Sequence, residues 1–173
     1  MKDTEMVNSA RNGNLIAYGE LIYLHHRTVE KYAFQCGVKA EDIQSVSQEV
    51  FINLHQTLGE FQNSHFLTRL FKITLKASRD YHKREKRVKD EGQELHGDSP
   101  GQSTRLSQSR ILVFEEDREL HDAIQLLEEK YRNPLILFYF HELGYEQIGE
   151  ILNIQPVEVE SRLISSKEKK IGA

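Results

Sequence analysis

One cysteine, three prolines, ten glycines and no tryptophan are what this chain of 173 residues offers where many folds need more. Cys36 stands alone, which excludes an internal disulfide framework and any multi-cysteine zinc or iron–sulfur site. Gln35 and Gly37 beside it supply no base, so the thiol reads as inert. Few glycines and no long β-branched alternation argue against a sandwich or a barrel. Met1-Lys2-Asp3-Thr4-Glu5 is followed by no apolar stretch, so no signal peptide is expected. The longest clean apolar run, Leu135–Phe140, falls far short of the roughly 20 residues of a bilayer span, so no membrane insertion is expected. There is no glycine-rich phosphate loop, no GxSxG and no zinc-ligand cluster. His141-Glu142-Leu143-Gly144-Tyr145 approaches HExxH, but tyrosine stands where the second ligand belongs. His25 and His26 are adjacent on a helix and point about 100° apart, which is poor chelating geometry. The expectation is a cytoplasmic protein that is not an enzyme and carries no cofactor and no metal.

What is present is helical pattern. A hydrophobic share of 38% suffices for packed helices but is thin for one large core. Tyr18, Leu21, Ile22, His25, Val29, Tyr32 and Ala33 form one face, with Asn14 as N-cap and Gly37 as stop. Ile43, Val46, Val50, Phe51, Leu54, Leu58 and Phe61 form a second. Phe66, Leu70, Ile73, Ala77 and Tyr81 form a third, with Ser64 a candidate cap. Val88 to Ser109 is then rich in Gly, Ser, Gln and charge, with almost nothing apolar to offset the entropy of ordering it, and reads as a linker. Beyond it Leu120, Ala123, Ile124 and Leu127 share a face, and Asn133-Pro134 opens the run LILFYF. Tyr145 to Leu152, the turn Asn153-Ile154-Gln155 and a helix from Pro156 to about Lys170 have the layout of a helix-turn-helix, although a generic helical hairpin shares the pattern. Ile148, Leu152, Ile154, Val159 and Leu163 would close one small core, with Gly149 where the two helices cross most closely. The fold expected is all-α: small helical domains at residues 1–87 and 111–173, joined by a flexible linker at 88–110.

Charge is distributed unevenly. Overall, 23 Lys and Arg against 27 Asp and Glu leave a formal charge of −4. Yet Arg79, Lys83, Arg84, Lys86, Arg87 and Lys89 crowd the end of the third helix beside Tyr81 and His82. Cations that track phosphates and rings that stack on bases suit single-stranded or melted nucleic acid; the same run also suits an ordinary helix end, where cations complement the dipole. Together with a helix-turn-helix downstream, nucleic acid leads. Glu41, Asp42 and Glu49, with Gln48 and Asn53, give the second helix an acidic face, either solvated or docked on a basic partner.

In order and spacing, these features resemble the extracytoplasmic-function type of bacterial RNA polymerase sigma factor, from about Ala10 to Lys170. Ala40-Glu41-Asp42-Ile43 and Ser47-Gln48-Glu49-Val50-Phe51 resemble the family's "EDI…QEVF" helix. Arg69-Leu70-Phe71-Lys72-Ile73-Thr74 resembles "WLYKIT", and Asp80-Tyr81-His82-Lys83-Arg84 resembles "DYxRK". Leu127 through Arg132 with Leu143 through Leu152 resembles "LPEKYR…LSYEEIAEIL", and Val159 with Ser161-Arg162-Leu163 resembles "TVKSRL".

The resemblance implies a non-catalytic subunit giving core RNA polymerase its promoter specificity. Glu41, Asp42, Gln48, Glu49, Phe51 and Asn53 are then expected to dock on the core. Arg69, Lys72, Lys76, Arg79, Tyr81, Lys83 and Arg84 are expected to hold and help melt the downstream promoter element. Tyr145, Gln155, Val157, Glu158, Ser161, Arg162, Ser165 and Lys167 are expected to serve upstream DNA. The linker would lie in the core's channel, its acidic residues mimicking nucleic acid, and an anti-sigma factor is the further partner implied. The chain departs from the family pattern at Ser45, Arg69 and Lys76, and most of all at Glu158, Glu160 and Ser165 in the recognition helix. Glutamate repels phosphate and only accepts hydrogen bonds, so upstream binding is expected to be weak or unusual in sequence preference. Two other readings stand beside this one: a sigma-like decoy or co-sigma that binds protein, and a stand-alone two-domain DNA-binding regulator, which leaves the acidic helix unexplained.

Overall fold

The computed structural model describes residues 2–60, 66–90 and 118–171, and every regular element among them is helical. The chain divides into two compact units, Met1–Glu115 and Glu116–Ala173.

In the first unit, α1 (Lys2–Arg11) and α2 (Leu15–Gln35) lead into a 3₁₀ turn (Ala40–Asp42) and α3 (Ile43–Thr57). A second 3₁₀ turn (Leu58–Glu60) precedes α4 (Phe66–Asp90). Asn14 caps α2 as its sequence position predicts: the side-chain Oδ1 accepts from the backbone N–H of Ile16 at 3.0 Å and of Ala17 at 3.2 Å. At the other end Gly37 takes a left-handed φ of 94°, which a side chain would resist. Its N–H donates to the Phe34 carbonyl and that of Val38 to Ala33, the paired bonds of a Schellman motif, with Val38 buried beneath.

The three amphipathic faces meet as their periodicity requires. Leu21, Val29 and Ala33 of α2, Ile43, Val46, Val50 and Leu54 of α3, and Phe66, Leu70, Ala77 and Tyr81 of α4 form one core. Tyr18, Ile22 and His25 lie at its edge, half-buried. Two hydroxyls within the α4 stripe are satisfied by their own helix: Thr74 donates to the Leu70 carbonyl at 2.8 Å and Ser78 to Thr74 at 2.9 Å. Helix α1 was not anticipated. Among its described side chains Val7 and Ala10 are buried in the core with Met6 packed against it, too short an apolar pattern to stand out in sequence. Helix α4 runs to Asp90, so Val88, Lys89 and Asp90 are helical; the rest of the linker expected at 88–110 lies outside the described residues, as does Ser64.

The second unit comprises α5 (Arg118–Gln125), α6 (Glu129–Tyr139), α7 (Tyr145–Leu152) and α8 (Pro156–Ile171). Asn133-Pro134 does not open a segment, because α6 begins at Glu129 and contains Pro134. Proline there forfeits the bond to the Lys130 carbonyl, an interior cost of about 3 kcal/mol, while Leu135, Ile136 and Leu137 beyond it are buried. Ile148, Ile151, Val159 and Leu163 are buried with them, whereas Leu152 and Ile154 are only half-buried. Asn153, at φ 58°, ends α7 in the left-handed region that asparagine tolerates, and the Ile154 N–H donates to Gly149 at 2.9 Å.

Gly149 is required by the turn itself. A Cβ there would come within 2.6 Å of the Ile154 carbonyl oxygen, whereas the start of α8 is further off, at 3.6 Å for the Pro156 nitrogen. Gly149→Ala is therefore expected to destabilise the second unit by about 1–3 kcal/mol, the range for overpacking a tight site. Denaturant unfolding of the full chain measures this; an unchanged midpoint for that unit contradicts the close approach.

Candidate nucleic-acid interface

The buried stripe of α4 dictates what its opposite side presents. Phe66, Leu70, Thr74, Ala77, Ser78 and Tyr81 turn inward. Lys72, Lys76, Arg79 and Lys83 follow one another at four, three and four residues, which places them on a single ridge about 180° from that stripe. Lys76, Arg79 and Lys83 are exposed and Lys72 is half-exposed. Asp80, 3.7 Å from Lys76, dilutes the ridge by an ion pair, and an exposed i,i+4 pair of this kind holds weakly. Arg69 is half-buried and lies to the side. Four cations along about 16 Å of helix form a rail that suits a phosphate backbone.

Two residues expected on this surface are elsewhere. Tyr81 cannot stack on a base as it stands, because its ring belongs to the core and its hydroxyl donates to Asp42 Oδ2 at 2.6 Å. Burial first, then the bond to the Asp42 carboxylate, pushes its pKa far above the usual tyrosine value. Arg84 falls on the inward-leaning flank of α4, where its Nη2 pairs with Glu49 Oε2 at 3.3 Å. Two residues earlier His82 is tied back as well, its Nε2 lying 2.8 Å from the Cys36 carbonyl; a carbonyl only accepts, so Nε2 carries the proton. Lys39 Nζ and Glu85 Oε2, 3.4 Å apart, add an exposed pair.

The acidic face is likewise divided. Glu41 and Gln48 are exposed, Glu49 and Asn53 half-exposed, and Asp42 is committed to Tyr81. Phe51 is buried, which removes it from the contact surface expected of it. Between α2 and α3 lies a groove of about 600 Å³ that sequence reading missed. Its lining includes Tyr18, Ile22, His26, Gln48, Ile52 and His55. Tyr18 closes one wall, its hydroxyl donating to the Phe51 carbonyl and its ring meeting His55 edge-on at 4.9 Å. Its half-buried apolar residues read as core in a helical pattern, and only exposed Ile52, off that pattern, hinted at an opening.

In the second unit, Val159, Leu163 and Ser166 face inward, so α8 presents Val157, Ser161 and Ile164 outward. Gln155 and Tyr145 are exposed at the starts of the two helices, and Ser165 is half-exposed. Glu158 is not a free negative charge: its Oε1 accepts from Arg162 Nε at 3.1 Å, one turn along the same helix. Lys167 sits over the Tyr139 ring at 5.7 Å, and a hydrogen bond with the Tyr139 hydroxyl raises its pKa. Among the described residues no cluster of His, Cys, Asp and Glu has the makings of a metal site.

Comparison with known proteins gives this geometry a context. Residues 117–167 match the family Sigma-70, region 4. Along nearly its whole length the chain is similar to the RNA polymerase sigma-H factor of Pseudomonas aeruginosa, at 25% identity covering 96% of this chain and 91% of that protein. It is 27% identical to the RNA polymerase sigma factor NccH of Alcaligenes xylosoxydans xylosoxydans, over 96% of this chain and 91% of that protein. The solved structure of CnrH in complex with the cytosolic domain of CnrY shares the fold, with a TM-score of 0.72 at 20% identity, covering 99% of this chain and 96% of that one.

The Tyr18 wall of the groove titrates. Burial pushes the Tyr18 pKa up to about 12, against a smaller lowering by the His55 backbone. A raised folded pKa means that the hydroxyl's stabilisation is complete below the unfolded value of about 10 and is lost as pH rises toward 12. Tyr18→Phe should cost about 1 kcal/mol at pH 8. Urea unfolding in steps from pH 8 to 12 should show the gap to wild type closing above pH 10; a gap that stays constant contradicts the assignment.

Proposed function

We infer that the chain is a sigma factor of the extracytoplasmic-function type, a subunit that binds core RNA polymerase and directs promoter-specific initiation. The observation that carries this is continuity: proteins named RNA polymerase sigma factors align over 94–96% of the chain, across both units, with the sigma-70 region 4 match in the second. Its role is regulatory, and the chemistry of RNA synthesis belongs to the core enzyme.

The residues supply a mechanism. The exposed acidic face, with Glu41, Gln48, Glu49 and Asn53, docks on a basic surface of the core. The rail of Lys72, Lys76, Arg79 and Lys83 then holds the downstream promoter element against the body of the first unit. Cations fixed on a rigid helix hold a phosphate backbone without loop ordering, so a strand once separated is retained at little entropic cost. The helix-turn-helix takes upstream DNA, with the α8 ridge toward the major groove. The stretch 91–110, outside the described residues, joins residues 1–87 to the upstream-binding domain, and its carboxylates suit a channel built for nucleic acid. An anti-sigma factor is a fitting further partner, since CnrH, which shares the fold, was solved with the cytosolic domain of CnrY. Among the described residues no helix is long and apolar enough to cross a membrane, and the proposed work on polymerase places the chain in the cytoplasm. The decoy reading rests on Glu158 and Glu160, and Glu158 is partly offset by its pair with Arg162.

In vitro transcription with core polymerase of the source organism over genomic promoter fragments tests the whole reading. Discrete transcripts that depend on the chain are expected; core binding without transcripts would favour the decoy. Glu49→Lys should weaken core association at least several-fold in a pull-down titration. Arg84→Ala, which frees Glu49 from its internal partner, should not, and equal losses in both would mean that the pair is merely structural. Lys76→Glu with Lys83→Glu should reduce promoter opening, read by permanganate footprinting, and flatten the salt dependence of DNA binding by about one to two units of slope. Wild-type opening and slope in that double variant would reduce the rail to a solvated helix face.

A further inference from the structure

Among the described residues, the outward ridge of α8 carries no cation. Val157, Ser161 and Ile164 follow at four and three residues, directly opposite the inward Val159, Leu163 and Ser166, and exposed Glu168 continues the row one turn further on. Val157 is 72% exposed and Ile164 55%, large apolar side chains left in water on a helix whose other face is fully packed. The cations lie on its flanks. Arg162 is only a quarter exposed and has its Nε edge taken by Glu158, while Lys167 leans over Tyr139.

Base edges are read by a short chemical vocabulary. Guanine takes a bidentate Arg or Lys, adenine a bidentate Asn or Gln, and thymine presents a C5-methyl that apolar side chains contact. The ridge offers no guanidinium, ammonium or carboxamide, so bidentate readout of guanine or adenine has no donor there. It does offer two apolar contacts with a hydroxyl between them, able to donate or accept at either kind of edge.

We propose that the upstream element is read chiefly through thymine methyl groups, with Val157 and Ile164 each covering one and Ser161 bonding a base edge between them. The proposal rests on the helix-turn-helix of the proposed function and deepens it by naming what that helix reads. Seven residues of helix span about 10.5 Å, which matches about three base-pair steps, so the two thymines should lie about that far apart. Arg162 and Lys167 then serve phosphates, where position rather than sequence is set. Glu160, on the exposed flank and without an ion pair among the described residues, keeps that flank from binding any duplex tightly. Base contact, rather than charge, thus decides which duplex is held.

The test uses the full chain bound to core polymerase and a duplex library randomised upstream. Selected duplexes are then remade with deoxyuridine at each thymine, which deletes the methyl and nothing else. Affinity should fall about fourfold at two positions, the value of one buried methyl. Val157→Ala should abolish the loss at one position and Ile164→Ala at the other; both side chains are exposed, so the fold is spared. Deoxyuridine without effect at every position overturns the proposal, as does a loss that persists undiminished in both alanine variants. A loss of core binding in those variants, with DNA selection intact, would make the ridge a protein contact and overturn it equally. Selection that returns no sequence at all removes upstream recognition itself, a failure of the proposed function distinguishable from the others.

Discussion

The buried stripe of α4 is the constraint on which the first unit depends. Phe66, Leu70, Ala77 and Tyr81 bind this helix to α2 and α3 through apolar burial. A helix has one period, so anchoring one face also sets the direction of the other. Lys72, Lys76, Arg79 and Lys83 therefore point away from the core without any loop to arrange them. Their mutual repulsion is tolerable because water screens it, and the packing opposite them holds the helix regardless. A cationic surface built in this way is stiff, which suits the strand capture proposed for it.

The far end of the same helix is bound differently. Tyr81 to Asp42, Arg84 to Glu49, Lys39 to Glu85 and His82 to the Cys36 carbonyl tie it to the segment around α3. These contacts are not equal. The exposed ion pairs are worth at most about 1 kcal/mol each, whereas a charge-assisted bond from a buried tyrosine contributes about 1.5–3 kcal/mol. Asp42 thus acts in the fold more than on the surface. Glu49 is held only by an exposed pair with Arg84, which leaves room for the docking proposed for it.

The second unit is held together with less material. Its core is a handful of aliphatic side chains, and the angle between α7 and α8 depends on a turn in which Gly149 admits the Ile154 carbonyl and Asn153 accepts a left-handed backbone. Once that turn is set, the outward ridge of α8 follows from the inward one. The glutamates that stood out as obstacles to DNA binding take different parts: Glu158 is a partner of Arg162, and Glu160 stands on the flank.

Local regularities were legible from the residues alone. The spacing of Leu21, Val29 and Ala33 or of Val46, Val50 and Leu54 names a buried face because helical geometry repeats every 3.6 residues wherever the helix lies. Asn14, Gly37 and the Asn153–Pro156 turn were readable because caps and turns act within a few residues of themselves. Helix α1 escaped because Val7 and Ala10 make too short a pattern, and Pro134 misled because the packing around it outweighs a lost backbone bond. What sequence could not decide was the choice of partner across the fold. Tyr81 and Arg84 sit within a basic aromatic run that reads as one surface, yet both turn away from the cationic ridge toward the segment around α3, where their partners Asp42 and Glu49 lie 39 and 35 residues away in sequence. Pattern along a chain reports which face is apolar; only the distance between packed helices determines which polar group is taken up inside and which stays free to bind.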